Sequence, residues 1–163
     1  MKRIGLLSDT HGMIPAQVYS FFKDCDEIWH AGDIGSLEAL DELSAFKPVK
    51  AVFGNIDGFD VIYEAKEVQI FMCEDMKVIM THIGGYPPKY MPKSLKLIEK
   101  EKPNIFISGH SHILKVMYDK NNNLLHINPG AAGRYGLHKV CTLVRFTIDG
   151  NRATDLEINE FPK

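Results

Sequence analysis

Apolar residues recur along the chain in two distinct periods. Lys2 to Leu7 forms a short, largely apolar run that breaks at once into Ser8-Asp9-Thr10-His11-Gly12, the pattern of a buried strand running out into a polar loop at its C-terminal end. Helical spacing follows over Pro15 to Asp24, where Val18, Phe21 and Phe22 recur behind a proline suited to a first turn. The alternation then repeats. Glu27 to His30 predicts a strand ending in Ala31-Gly32-Asp33, Ser36 caps a helix carrying Leu37, Leu40, Leu43 and Phe46, and Val49 to Phe53 predicts a strand ending at Gly54-Asn55. Parallel neighbours need a crossover connection, so this βαβαβ opening predicts a parallel sheet with helices packed against it.

Beyond Gly58 the pattern becomes strand-rich. Ala65–Met72 and Met76–Thr81 predict a hairpin, Ile83-Gly84-Gly85-Tyr86-Pro87-Pro88 a loop, Pro92–Lys102 a third helix and Asn104–Ser108 a further buried strand. Ile113–Tyr118 pairs with Leu124–Ile127 across Asn121-Asn122-Asn123, and Val140–Ile148 with Arg152–Ile158 across Asp149-Gly150. An α/β front joined to such a tail predicts an α/β fold of two sheets packed face to face with helices outside. With 163 residues and no repeat, linker or low-complexity tract, residues 1–163 are expected to form one domain.

Composition narrows the function classes. The chain is 45% hydrophobic and 25% charged with a formal charge of −2, so no nucleic-acid or anionic-membrane partner is expected. Cys25, Cys73 and Cys141 are odd in number and widely spaced, which predicts reduced core residues rather than disulfides or a zinc-thiolate site. No signal peptide or spanning run is apparent, and a cytoplasmic location is expected. Met72, Met76, Met80 and Phe71 read as core or hairpin residues. No P-loop, GxGxxG or Ser/His/Asp arrangement points to nucleotide-dependent transfer or redox chemistry.

The chemistry lies where the strands stop. Asp9-Thr10-His11, Gly32-Asp33, Gly54-Asn55, Thr81-His82 and Gly109-His110-Ser111-His112 each follow a predicted strand, and strand ends of an open α/β sheet border the crevice where ligands bind. In extended chain, residues two apart point to the same side, so Asp9 with His11, and His110 with His112, can each address one cluster. Any one of these segments is explicable as a turn or a cap; all five together point to a metal centre. Imidazole, carboxylate and amide donors without thiolate suit Mn, Fe, Zn, Co or Ni better than calcium or magnesium. His30 falls beside the pattern as a supporting residue, and His126 and His138 read as ordinary surface or strand residues.

The series DxH, GD, GN, H and GHxH, carried here by Asp9 and His11, Asp33, Asn55, His82, and His110 and His112, resembles that of the calcineurin-like metallophosphoesterases, in particular their small phosphodiesterases. The resemblance covers nearly the whole chain and includes Asn128-Pro129-Gly130, followed here by Ala131 where the small group usually has Ser. It implies a four-layer αββα sandwich with two divalent ions at one edge, manganese favoured. One ion is implied on Asp9, His11 and His112, the other on Asn55, His82 and His110, with Asp33 as the bridge. Catalysis then works through the metal centre, with Asp33, Asn55 and His82 central to it. With neutral imidazoles and a bridging hydroxide the cluster keeps a charge of about +1, which suits an anionic phosphoester and predicts direct attack by hydroxide without a phosphoenzyme.

Many larger relatives carry a leaving-group His after the Asn of GN, where this chain has Ile56. Unless Asp57, His30 or water supplies that proton, activated aryl diesters are expected to react faster than alkyl monoesters. Tyr86 and Lys89, in the loop after His82, and Arg134 are candidate contacts for a small-molecule phosphoester. Two alternatives remain from other classes: a protein-interaction scaffold like the retromer sorting subunit, which resembles this family, and a metal-dependent nuclease. A homo-oligomer is compatible with either.

Overall fold

A computed structural model describes residues 1–163. The elements run β1 (Lys2–Leu7), α1 (Ala16–Phe21), β2 (Glu27–His30), α2 (Leu37–Phe46), β3 (Val49–Ala51) and α3 (Phe59–Glu64) in the first part of the chain. They continue with β4 (Val68–Cys73), β5 (Met76–Thr81), β6 (Gly85–Tyr86), β7 (Lys89–Tyr90), α4 (Pro92–Glu101) and β8 (Ile105–Ile107). The last four are β9 (Leu114–Asp119), β10 (Leu124–Pro129), β11 (Val140–Asp149) and β12 (Arg152–Pro162). One five-stranded sheet has the order β12-β11-β1-β2-β3 and the other β4-β5-β8-β10-β9. Within them, β1, β2 and β3 are parallel, as are β5, β8 and β10.

Side-chain alternation builds the layers. Ile4 and Leu6 of β1, Val78 and Met80 of β5, and Ile105 and Ile107 of β8 meet between the sheets in the largest core cluster. Residues one step out of phase face the helices: Leu7 packs with Val18 and Phe22 on the first sheet, and Ile79 and Phe106 pack with Ile98 of α4 on the second. The result is helix, sheet, sheet, helix, the four layers expected. No helix is long and apolar enough to cross a membrane, and all three cysteines are free and buried.

Three local expectations differ. The six residues of α3 expose Phe59 and Tyr63 and bury only Val61, so no amphipathic stripe marks them in the sequence. β3 stops at Ala51: the Val52 amide still donates to His30 O at 3.0 Å, but Val52 also bridges Lys66 in the approach to β4. The Gly/Pro loop after His82 folds back on itself, pairing Tyr86 with Lys89 in a two-residue ladder.

Trp29 of β2 joins the layers to the site, since its strand runs directly into Gly32-Asp33. It is fully buried, with Phe71 and Phe146 edge-on at 5.0 and 5.8 Å. Its indole N–H donates to Glu27 Oε1 at 2.9 Å, meeting the polar requirement of a buried tryptophan. Trp29→Ala should cost about 3–5 kcal/mol, and at roughly 2–4 °C per kcal/mol thermal unfolding should show a melting temperature lower by about 6–20 °C.

Candidate metal centre

Five parallel strands, β1, β2 and β3 of one sheet and β5 and β8 of the other, deliver their C-terminal ends to a single edge. Backbone bonds continue past the strands and tie those ends together: Asp9 N–H donates to Gly32 O at 2.9 Å, His11 N–H to Asp33 O at 3.1 Å and Gly109 N–H to His82 O at 2.9 Å. Side-chain bonds at this edge also cross between the sheets. His82 Nδ1 lies 2.7 Å from Ala31 O, and the His110 amide donates to Asp9 Oδ2 at 3.2 Å. All seven sequence-predicted metal-site residues therefore meet at one edge.

Their backbone is unusual. Asp9, His11, Asp33, His110 and His112 all have φ between 49° and 69°, the left-handed region that costs an L-residue free energy and that clusters at functional sites. Glycines make the close approaches possible. A Cβ on Gly54 would lie 2.0 Å from Asp33 Oδ1, and one on Gly32 would lie 2.5 Å from His82 Nδ1, so the glycines of the two short motifs are there because nothing larger fits.

The candidate ligand atoms face one another across short gaps. A carbonyl only accepts, so His82 Nδ1 carries the hydrogen given to Ala31 O, and in the neutral ring its Nε2 presents a lone pair. That Nε2 lies 3.1 Å from Asn55 Oδ1 and 3.2 Å from Asp33 Oδ2. His112 is fixed in the same way. His138 Nε2 gives its hydrogen to Gly133 O at 2.7 Å, so His138 Nδ1 accepts from His112 Nδ1 at 3.1 Å, and the His112 Nε2 lone pair faces Asp9 Oδ1 at 3.1 Å. His11 Nε2 is buried with no hydrogen-bond partner. Acceptors that converge this closely repel unless a cation lies among them.

Two triads offer one ligand atom per residue with all three atoms within 4.8 Å: Asp9, His11 and His112, and Asp33, His82 and His110. Asn55 joins the second through Oδ1, 3.0 Å from His110 Nδ1. Asp33 stands between the triads, its Oδ2 3.7 Å from His11 Nε2 and 3.2 Å from His82 Nε2. Burial works against charge on the Asp33 carboxyl, but the hydrogen bond and charge of His82, the Ile56 amide and His11 outweigh it and hold it below the ordinary carboxylate range. Burial likewise opposes charge on His82, but the hydrogen bond to Asp33 and the charges of Asp9 and Asp33 raise its pKa above the ordinary value, so in the metal-free chain a proton on Nε2 takes the place a cation would fill. The residues present suit divalent ions: mixed N and O donors, lone pairs turned inward, and a carboxylate between two clusters.

Three residues hold the loops in place. Asp57 accepts from the amides of Ile34, Gly35 and Gly54 at 3.1, 2.7 and 2.8 Å, so its carboxylate is consumed in joining the loops after β2 and β3 and is not the leaving-group acid. His30 is not that acid either. It is fully buried, bonded to Thr10 Oγ1 at 3.0 Å and to the Gly32 amide at 3.1 Å, and burial pushes its pKa down to about 3. Asn128 donates to Gly109 O and Ser111 Oγ at 3.0 and 3.1 Å, which gives the Asn-Pro-Gly segment its purpose: it pins the loop bearing His110 and His112.

The candidate substrate contacts divide. Tyr86 lines a cavity beside His110, and Lys89 is exposed on the strand opposite it. Arg134 is exposed and lines a different cavity with Met13, Pro15 and Phe161. Its neighbour Tyr135, unmarked by any motif, lies over His11 with ring centroids 4.9 Å apart. His138, read as an ordinary residue, orients His112; it lies 26 residues further along in a loop, and no local spacing announces it.

Residues 1–151 match the profile of the calcineurin-like phosphoesterase superfamily domain. A probable metallophosphoesterase from Methanothermobacter thermautotrophicus is 33% identical over 134 residues, which is 78% of this chain and 76% of that protein. A second, from Methanocaldococcus jannaschii, is 32% identical over 134 residues, 78% of this chain and 67% of that protein. Among solved structures, one described as a novel archaeal phosphodiesterase aligns with a TM-score of 0.75 at 24% identity over 99% of both chains. Vps29 from Chaetomium thermophilum aligns with a TM-score of 0.79 at 13% identity over 99% of this chain and 97% of that one.

His138→Ala frees the far nitrogen of His112 without touching a candidate ligand. It should weaken metal affinity about 10- to 100-fold while leaving the melting temperature of the metal-free protein nearly unchanged, as calorimetric metal titration and thermal unfolding would record.

Proposed function

The chain belongs to the calcineurin-like phosphoesterase superfamily, and on that premise we propose that it is a dinuclear-metal phosphodiesterase which hydrolyses a small phosphodiester without a phosphoenzyme. The observation that carries this reading is the pair of acceptor triads meeting at Asp33. A pair of divalent ions, when bound, lowers the pKa of water and neutralises phosphoryl oxygens. Asp9, His11 and His112 would hold one ion and Asn55, His82 and His110 the other, with Asp33 shared. Manganese is the favoured ion by donor chemistry, with iron, zinc, nickel and cobalt compatible.

The residues of the chain set the geometry and the electrostatics. Asp9 and Asp33 are buried carboxylates, 0% and 3% exposed, and the other donors are neutral amide or imidazole groups, so two divalent ions keep an excess of positive charge for an anionic ester. His110 is exposed at the mouth and His82 is buried beneath it, which leaves one side of the centre open for substrate. No Ser, Cys or Asp is needed as a covalent nucleophile.

None of Ile56, Asp57 and His30 is placed to give the leaving group a proton. Ile56 directs its amide at Asp33 Oδ1, 3.1 Å away, while its side chain is 46% exposed beside Asn55. A site without that acid favours leaving groups that depart unprotonated, and this supports diesters with an activated arm over alkyl monoesters. The archaeal neighbour described as a phosphodiesterase supports the same choice. The likeness to Vps29 is what favours a scaffold as second reading, and loss of turnover with retained partner binding separates the two.

In a metal-loaded assay, bis(p-nitrophenyl) phosphate should be hydrolysed faster than an alkyl phosphomonoester; the opposite ranking refutes the diesterase reading. Asp33→Ala should lower kcat/KM for the diester by at least about 10²–10³-fold. Placing an imidazole at the mouth with Ile56→His should raise turnover of poor leaving groups by about 10²-fold or more, with little effect on aryl esters, as steady-state kinetics on an alkyl and an aryl series would report.

A further inference from the structure

A cavity of about 220 Å³ opens beside His110, walled by Tyr86, Met91, Ile113 and Lys115, with His126 lining it as well. Its polar groups near the metal centre are already committed: the Asn128 amide and the Ser111 hydroxyl bond within the loop that carries His110. Its apolar groups are not. Tyr86, Met91 and Ile113 are 40%, 45% and 63% exposed although they gather around one hollow, and apolar side chains grouped in water around a concavity mark ligand grooves. The Lys115 ammonium lies 3.7 Å from the centroid of the Tyr86 ring, which holds the phenol at the rim and sets a cation beside it.

His126 supplies the second observation. It is fully buried, stacked on Phe106 with centroids 5.7 Å apart, and its Nδ1 lies 3.1 Å from Phe106 O. The carbonyl only accepts, so Nδ1 carries the hydrogen and Nε2 bears a lone pair. That Nε2 has no partner in the protein. A buried acceptor left unmatched under a cavity floor calls for a donor from outside.

We infer that this cavity is the subsite for one ester arm of the substrate, and that the arm is a planar heterocycle bearing an N–H donor, as in a pyrimidine nucleoside. The inference rests on the phosphodiesterase reading and narrows it. The volume lies below the range of pockets for drug-sized ligands, which suits a flat heterocycle rather than a bulky branched group. Tyr86, Met91 and Ile113 offer that ring apolar contact, and His126 accepts its N–H. The phosphate then lies toward His110, with Lys115 placed to attract it.

Thymidine 5′-(p-nitrophenyl phosphate) and methyl p-nitrophenyl phosphate share a leaving group and differ only in this arm. The thymidine ester should show a KM about tenfold lower, and Tyr86→Ala or Ile113→Asp should bring the two KM values together. The N3-methylthymidine ester keeps the ring but loses the donor, and should forfeit about three- to tenfold of the gain. Independently of turnover, titration of the metal-loaded protein with thymidine 5′-phosphate should shift the His126 Nε2 resonance in nitrogen-detected NMR, and the N3-methyl analogue should not. Equal KM values for the two esters, an advantage that survives Tyr86→Ala, or an unmoved His126 resonance would overturn the inference. If neither ester is hydrolysed while thymidine 5′-phosphate still moves His126, the catalytic reading falls and the subsite stands.

Discussion

Lone pairs facing lone pairs are the constraint on which the rest of the structure depends. His82 Nε2, Asn55 Oδ1 and Asp33 Oδ2 crowd within 3.2 Å of their neighbours, and His112 Nε2 meets Asp9 Oδ1 at 3.1 Å. Such an arrangement does not assemble for its own stability, because with neutral imidazoles each contact is repulsive until a cation or a proton lies between. The scaffold has to impose it, and the imposing parts are identifiable: the Ala31 and Gly133 carbonyls that set the imidazole tautomers, and the Asp57 carboxylate that gathers three amides from two loops. Packing between the sheets supplies the rigid base from which these work. Trp29, at the centre of that packing, belongs to the strand that leads into Asp33.

Much of this was legible in the chain. Strands that end abruptly in Asp, Asn or His announce both a parallel sheet and the edge at which ligands gather, because the apolar run and the polar break are read from the same residues. The two-layer division of β1 and β5 follows from the alternation of their side chains. What the sequence concealed is non-local or too short to have a period. α3 is a turn and a half with one buried side chain, so no stripe exists to detect. His138 and Tyr135 act across a loop closure, and only folding brings them to His112 and His11. Asp57 looked like a proton donor in sequence, yet three amides claim it, and an oxygen's partners cannot be counted before the chain is folded.

The site is also asymmetric. On one side of His82 and Asn55 lie Lys93 and Ser94 at the start of α4; on the other lies the apolar hollow of Tyr86 and Ile113. Ile83 borders both. A phosphodiester has two arms of its own, and on the proposed reading the two unlike walls would receive them. The metal ligands alone give this site no preference among esters; its discrimination depends on the segments after β5 and around β9.

Five of the candidate ligands sit in left-handed backbone, where glycine would be more comfortable and would bring no donor atom at all. Aspartate and histidine stand at those places despite the local cost, for the donor atoms they bring. Breeding this enzyme for heat resistance without assaying turnover would therefore tend to replace its working residues first, and the hardiest descendants would be inert.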